Sequence, residues 1–184
     1  MKFLKSLYYL YLLFLDDLPR HRSLFFVGLG NCLPDTFVCS RFRIYTFMMA
    51  GGHVKSPNTC VIRKGFFTEY AHNIYLGEFV QINRNCLISG HAKTTIGNRV
   101  LLSYDVKLLS IGHKGKLNDQ DVVGEITIDS YCVIYAGTIV SYNTHIHEDV
   151  IVGAGSMVID DLPANGFYAG NPAKIISKKF KDEP

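Results

Sequence analysis

Stepping by six from Ile128 lands on Ile134, Val140, Ile146, Val152 and Val158, an unbroken ladder of β-branched aliphatic residues. Four residues further into each hexad stand Cys132, Thr138, Thr144, Val150 and Ser156, all small or β-branched. The position directly after each aliphatic reads Asp129, Tyr135, Ser141, His147 and Gly153, mostly compatible with a turn. The same ladder runs earlier through Leu76, Ile82 and Ile88, slips by two residues, and resumes at Ile96, Leu102 and Leu108. Val80, Cys86, Val100 and Val106 fill the companion position there. A helix wants apolar residues three and four apart, and a half-buried strand wants alternation, so a period of six suits neither. It suits a stack of coils. A short strand, a turn and a strand rotated by about 120° make one corner of a triangular prism, and about eighteen residues close a coil that pairs in parallel with the next.

The organisation follows: a nonrepetitive cap over 1–55, a prism over 56–160 interrupted by the polar loop 113–125, and a tail over 161–184. A short helix is expected around Ala173–Phe180, just after Pro172. Within the cap, residues 1–15 read MKFLKSLYYLYLLFL. Their apolar run is too short to span a bilayer, and no small-residue cleavage site follows. A short helix packed on the protein or a partner subunit is expected, with contact at a membrane surface or secretion as the alternatives. Of 184 residues 48% are hydrophobic and 19% charged, a globular balance, and the net charge of +3 is too small to imply nucleic acid. Five cysteines at irregular spacing, with no C-x-x-C, read as reduced and mostly buried thiols of a cytosolic chain.

The stretch IVGAGSMVIDDLPANGFYAGNPAKII, Ile151 to Ile176, closely resembles the C-terminal signature of hexapeptide-repeat acetyltransferases. The branch it looks most like holds the galactoside, maltose and nodulation-factor O-acetyltransferases and the polysaccharide O-acetyltransferases. With Ile74 to Gly112 the resemblance covers roughly 100 residues and leaves out the first 50 or so. It implies an all-β, left-handed parallel β-helix with an N-terminal helical or irregular cap and a short C-terminal helix. It also implies acetyl-CoA as co-substrate, no metal, and a homotrimer with active sites between subunits.

By that resemblance His113, in Ser110-Ile111-Gly112-His113, is the catalytic histidine, and Asn83 is the acceptor-side asparagine. The residue types suit the chemistry. A sugar hydroxyl is a poor nucleophile at neutral pH, and a neutral imidazole can take its proton and later return one to the leaving thiolate. An amide orients the hydroxyl without competing for the proton, and backbone N–H groups would hold the oxyanion. Asp105 and Glu125 are candidate partners for the second ring nitrogen of His113. The positions that match the coenzyme groove are Ala136, Ala154, Gly155, Ile159, Gly170, Asn171, Pro172 and Lys174. Small residues let the pantetheine approach the backbone, and Lys174 would pair with a phosphate.

Each assignment has a plainer reading. His113 could be an ordinary loop histidine, Asn83 a turn residue, the alanines a requirement of tight corners, and Gly170-Asn171-Pro172 a simple turn. His91 stands where the galactoside and maltose enzymes tend to have an acidic residue. It reads as an acceptor contact or a solvated turn residue, and the departure argues against simple galactosides or maltose as acceptors. The expected activity is acetyl transfer to a hydroxyl of a saccharide, such as an envelope, capsule or O-antigen glycan or its precursor. The alternative is an N-acetyltransferase on an amino sugar or nucleotide sugar. The chain is expected in the cytoplasm, with residues 1–15 offering peripheral contact at the inner face of the membrane. A γ-type carbonic anhydrase would need three zinc histidines, and only His145 and His147 lie close together. A noncatalytic β-helix subunit would lack the His113 and GNPA features.

Overall fold

The protein is seen as a computed structural model that describes residues 17–113, 115 and 121–178. The apolar segment 1–15 and, in the polar loop, residues 114 and 116–120 lie outside the described residues. The prism has three faces. The first stacks β1 (His53–Val54), β3 (Ile74–Leu76), β6 (Thr94–Ile96), β11 (Ile126–Ile128) and β14 (Thr144–Ile146), all parallel. The second stacks β2 (Val61–Ile62), β4 (Gln81–Ile82), β7 (Leu101–Leu102), β12 (Val133–Ile134), β15 (Ile151–Val152) and β17 (Gly166–Ala169). The third stacks β5 (Leu87–Ile88), β8 (Lys107–Leu108), β13 (Ile139–Val140) and β16 (Met157–Val158). Together they form a left-handed parallel β-helix of about 6 turns.

The strands are so short that each offers one or two inward side chains, the last of which is the ladder aliphatic in all but the outermost coils. Ile88, Leu102, Leu108, Ile128, Ile134, Val140, Ile146, Val152 and Val158 are all 0% exposed. The companion column is as dry: Val80, Cys86, Val100, Val106, Cys132 and Val150 are at most 1% exposed. Each buried aliphatic contributes about 1.5–3 kcal/mol of transfer free energy. Burial also pushes the Cys86 and Cys132 thiols up to about 11, so both act as small apolar fillers. Those two and Cys60 are buried, Cys39 is half-buried, Cys32 is exposed, and no disulfide is formed.

Coil length varies, and it varies at one edge. Paired residues on the second face run Ile62, Ile82, Leu102, Ile134 and Val152, giving coils of twenty, twenty, thirty-two and eighteen residues. The excess always falls between the third face and the first: Thr68 to Leu76, Ile88 to Ile96, and Leu108 to Ile128. The sequence ladder begins at Leu76 and shows one slip. The structure adds an earlier one, hidden because the polar Thr68, 0% exposed, takes the inward place of an aliphatic.

The cap holds two helices that the six-residue pattern does not announce, α1 (Leu18–Asn31) and α2 (Phe37–Met49). Pro19 sits in the first turn of α1, and the Thr36 hydroxyl accepts the Cys39 N–H at 3.2 Å to cap α2. Ile44 and Phe47 of α2 face the prism, where Phe47 meets Phe66 edge-on at 5.7 Å. Arg43, 3% exposed, donates to the carbonyls of Gly30, Leu33 and Pro34 and closes the turn between the helices.

The expected C-terminal helix is not formed. Residues Lys174–Lys178 are β18, antiparallel to β17, so they continue the second face. Pairing with β17 gives this β-branched Lys-Ile-Ile-Ser-Lys segment its backbone partners, which a single short helical turn would not.

Candidate functional site

His113 ends β9 (Ile111–His113), which pairs antiparallel with β10 (Asp121–Val123) in a hairpin standing off the interrupted edge. The register sets His113 opposite Asp121, and its Nδ1 lies 2.8 Å from the Asp121 Oδ1. Neither Asp105 nor Glu125 plays this part. Asp105 turns a different corner with φ of 59°, and Glu125 lies at the foot of the hairpin, where its carbonyl accepts from the Thr144 N–H. With Nδ1–H donated to the carboxylate, Nε2 keeps its lone pair for a proton. Both side chains are more than half exposed in the single chain, so the pair is a device for orientation rather than stability.

Two glycines hold the hairpin against the prism. A Cβ on Gly112 would overlap the Tyr142 ring, and one on Gly124 would overlap the Asn143 amide. Gly124 also donates its N–H to the Ser110 carbonyl at 3.1 Å. Both feet therefore rest on the Tyr142-Asn143 turn of the following coil. Above them, Ser89 and Ser110 share a hydroxyl hydrogen bond of 2.9 Å inside the same edge, and the Ser110 hydroxyl accepts from the Ala92 N–H.

His91 belongs to this edge too. Its Nε2 lies 3.3 Å from Glu69, its ring meets Tyr70 edge-on at 4.9 Å, and Glu69 is also paired with Arg20 of α1. The buried Thr68 hydroxyl and His91 Nδ1 have no partner among the described residues. The acidic side chain absent from the sequence at position 91 is thus present in space, supplied by Glu69. Ile159 lies on this edge as well, just after β16.

Asn83 lies elsewhere. It follows β4 at the corner between the second and third faces, where its amide donates to the Leu102 carbonyl at 3.0 Å. The expected coenzyme positions other than Ile159 gather at that corner or follow it. The Gly155 N–H donates to the Ala136 carbonyl at 2.8 Å, and Ala154 sits directly beside it. The Gly170 N–H reaches the Ser156 hydroxyl at 3.1 Å, and Met157 and Ala173 bond around the Gly170-Asn171-Pro172 turn. Lys174 opens β18 with its side chain exposed. Within one chain the third face separates Asn83, Ala136, Ala154, Gly155 and Gly170 from His91, His113 and Ile159. An open groove of about 620 Å³ on the first face, lined by His53, Tyr75 and Lys55 among others, is separate from both corners.

The fold defines a class: a hexapeptide-repeat β-helix with a hairpin-borne histidine. Among solved structures it matches a galactoside acetyltransferase in complex with coenzyme A, with TM-score 0.81 and 24% identity over 88% of this chain and 81% of that one. A maltose O-acetyltransferase from Clostridium difficile matches with TM-score 0.79 and 24% identity over 92% and 89% of the two chains. A Vibrio cholerae hexapeptide-repeat acetyltransferase complexed with acetyl coenzyme A matches with TM-score 0.79 and 21% identity over 88% of each. In sequence, the chain is 32% identical over 122 residues to a Saccharomyces cerevisiae protein named "Putative acetyltransferase", 64% of this chain and 62% of that one. It is 30% identical over 114 residues to the galactoside O-acetyltransferase of Escherichia coli, 60% of this chain and 56% of that one. The match thus spans less than two thirds of either relative. No protein-family model matches the chain. In fold and in sequence the chain resembles the hexapeptide-repeat acetyltransferases, the maltose and galactoside O-acetyltransferases among them.

Proposed function

We propose that the protein transfers the acetyl group of acetyl-CoA to a hydroxyl of a saccharide, with His113 as general base. The observation that carries this reading is the His113–Asp121 pair, presented on a hairpin whose feet are locked by glycines. In the proposed step Nε2 of His113 removes the hydroxyl proton as the oxygen attacks the thioester carbonyl. The new C–O bond forms, the C–S bond breaks, and the proton on Nε2 passes to the departing thiolate. Asp121 holds the ring and balances the imidazolium that forms in between.

The placement of the other expected residues supports an assembly. Asn83 and the coenzyme positions other than Ile159 occupy one corner and His113, with Ile159, the next, so one prism presents two half-sites. Copies packed side by side, as in a homotrimer, would set the His113 edge of one against the coenzyme corner of its neighbour. Outward residues on the second face suit such packing: Val61, Leu101, Val133, Ile151 and Phe167 are apolar and half-buried already, with the exposed Gln81 as the polar exception. His91, with Glu69 and Tyr70 beside it, stands on the acceptor side of His113 in this reading.

The test is acetyl-CoA consumption against a panel of sugars, amino sugars, nucleotide sugars and envelope glycans. Wild type should acetylate a hydroxyl acceptor, and His113→Ala should lose about 10²–10⁴-fold in rate while still binding acetyl-CoA. Undiminished transfer by that variant would sink the mechanism, transfer to amines alone would move the reading to an N-acetyltransferase, and a monomer by light scattering would contradict the shared site.

A further inference from the structure

A second cluster of chemically able side chains lies on the first face, away from the hairpin. The parallel register of β11 and β14 sets Thr127 beside His145 and Ile128 beside Ile146, and Asp129 and His147 follow directly after the two paired strands. His145 Nε2 is 2.9 Å and His147 Nδ1 3.7 Å from the same Asp129 Oδ2, and the imidazoles stack with centroids 3.8 Å apart. The three donor atoms lie within 4.8 Å of one another. In a tetrahedral zinc site with bonds of about 2.0–2.2 Å, neighbouring ligand atoms stand roughly 3.3–3.6 Å apart, and the observed separations bracket that spacing. The backbone here is fixed: the His145 N–H donates to Asp161 Oδ1 at 2.7 Å, and its carbonyl accepts from the Leu162 N–H at 2.9 Å.

We infer that Asp129, His145 and His147 form a site for a divalent transition metal, best matched by zinc. Two imidazoles and one carboxylate are the donors that borderline ions prefer, whereas calcium or magnesium would want oxygen throughout. A metal lets both neutral rings and the carboxylate act as acceptors at once. Each side chain is between a third and a half exposed, which leaves a fourth position for water. The bound ion would clamp the fourth coil to the fifth. It has no part in the acetyl transfer proposed above, and the fate of either reading leaves the other untouched.

Isothermal titration of the tag-free, chelator-stripped full chain with zinc tests this. One ion per chain should bind, and the melting temperature should rise with zinc. His145→Asn/His147→Asn should weaken binding about 100-fold and abolish the rise. Cobalt in place of zinc should show no thiolate charge-transfer band, and Cys32→Ser/Cys39→Ser should change nothing. Equal zinc affinity in wild type and the histidine variant, or loss of binding in the cysteine variant, would overturn the assignment. Should the double variant fail to fold, Asp129→Asn read by the cobalt spectrum decides the same question.

Discussion

The corner between the second and third faces and the corner between the third and first are built by different rules. At the former, every coil turns on one residue in the left-handed region at the same spot: Gly65, Asn85, Asp105, Gly137 and Gly155. No coil adds a residue there. At the latter, the step from Val140 to Ile146 keeps six residues and turns on Asn143, while three other steps swell by two, two and fourteen residues, the second of them passing through Gly90. The regular corner offers a flat backbone column with small side chains. The interrupted one offers histidines, a glutamate, a tyrosine and the hairpin. A coil needs uniform corners to keep register, yet only one corner can be irregular without disturbing the other two faces, and here the chemistry collects on that one.

The sharpest way to break this contrast is to damage what both corners hang from. Ile134→Ala, in the fully buried ladder, should cost about 2–5 kcal/mol, read as a drop in denaturant midpoint. Gly112→Ala acts on the irregular corner alone. It forces the hairpin off the Tyr142 ring, and should cost about 1–3 kcal/mol while lowering acetyl transfer more than stability explains.

A third test concerns how the cap is fastened to the regular corner. Burial disfavours the Asp35 carboxylate, but the Arg84 hydrogen bond, the Lys64 N–H and the charges of Arg84 and Arg63 outweigh it, so its pKa lies below the usual carboxylate value. A lowered folded-state pKa contributes stability above the unfolded value of 3.8, and that contribution is lost as pH falls from there through the folded value. Asp35→Asn should therefore be less stable at neutral pH, by about 1–3 kcal/mol, and its melting curve should converge with wild type as pH falls through the folded-state value. The smallest effect is expected at the regular corner itself. A Cβ on Gly155 meets nothing within 4 Å, so Gly155→Ala should cost only the left-handed backbone, about 1 kcal/mol.

The ladder made the core legible, because period six at Ile128–Val158 allows no other common architecture. The ladder could not show Thr68, since a polar residue inside a coil is invisible to a search for aliphatics. The cap helices escaped for a related reason: Phe25, Phe37 and Val38 are exposed, which blurs the stripe by which a helix is recognised. At the site, His113 and Asn83 were named by resemblance, whereas Asp121 was not, because a cross-strand partner depends on where the hairpin turns. Glu69 came to His91 across a coil, at a separation set by the very slips that the pattern registers only as faults. The tail was misread because Pro172 before a short apolar run resembles a helix start, and the vacant edge of β17 is a property of the fold alone.

That tail has a consequence for how copies of the chain can meet. A stack of parallel coils ends in open backbone, an invitation for the next molecule to continue the stack and grow a fibre. Here β18 runs against the grain of every strand before it on the second face, and carries Lys174 and Lys178 at its two ends. A neighbour arriving end-on meets a reversed strand and positive charge, while the opposite end is roofed by α1 and α2. Among the described residues, the second face is thus closed to end-on stacking, which would turn association between copies toward the flanks.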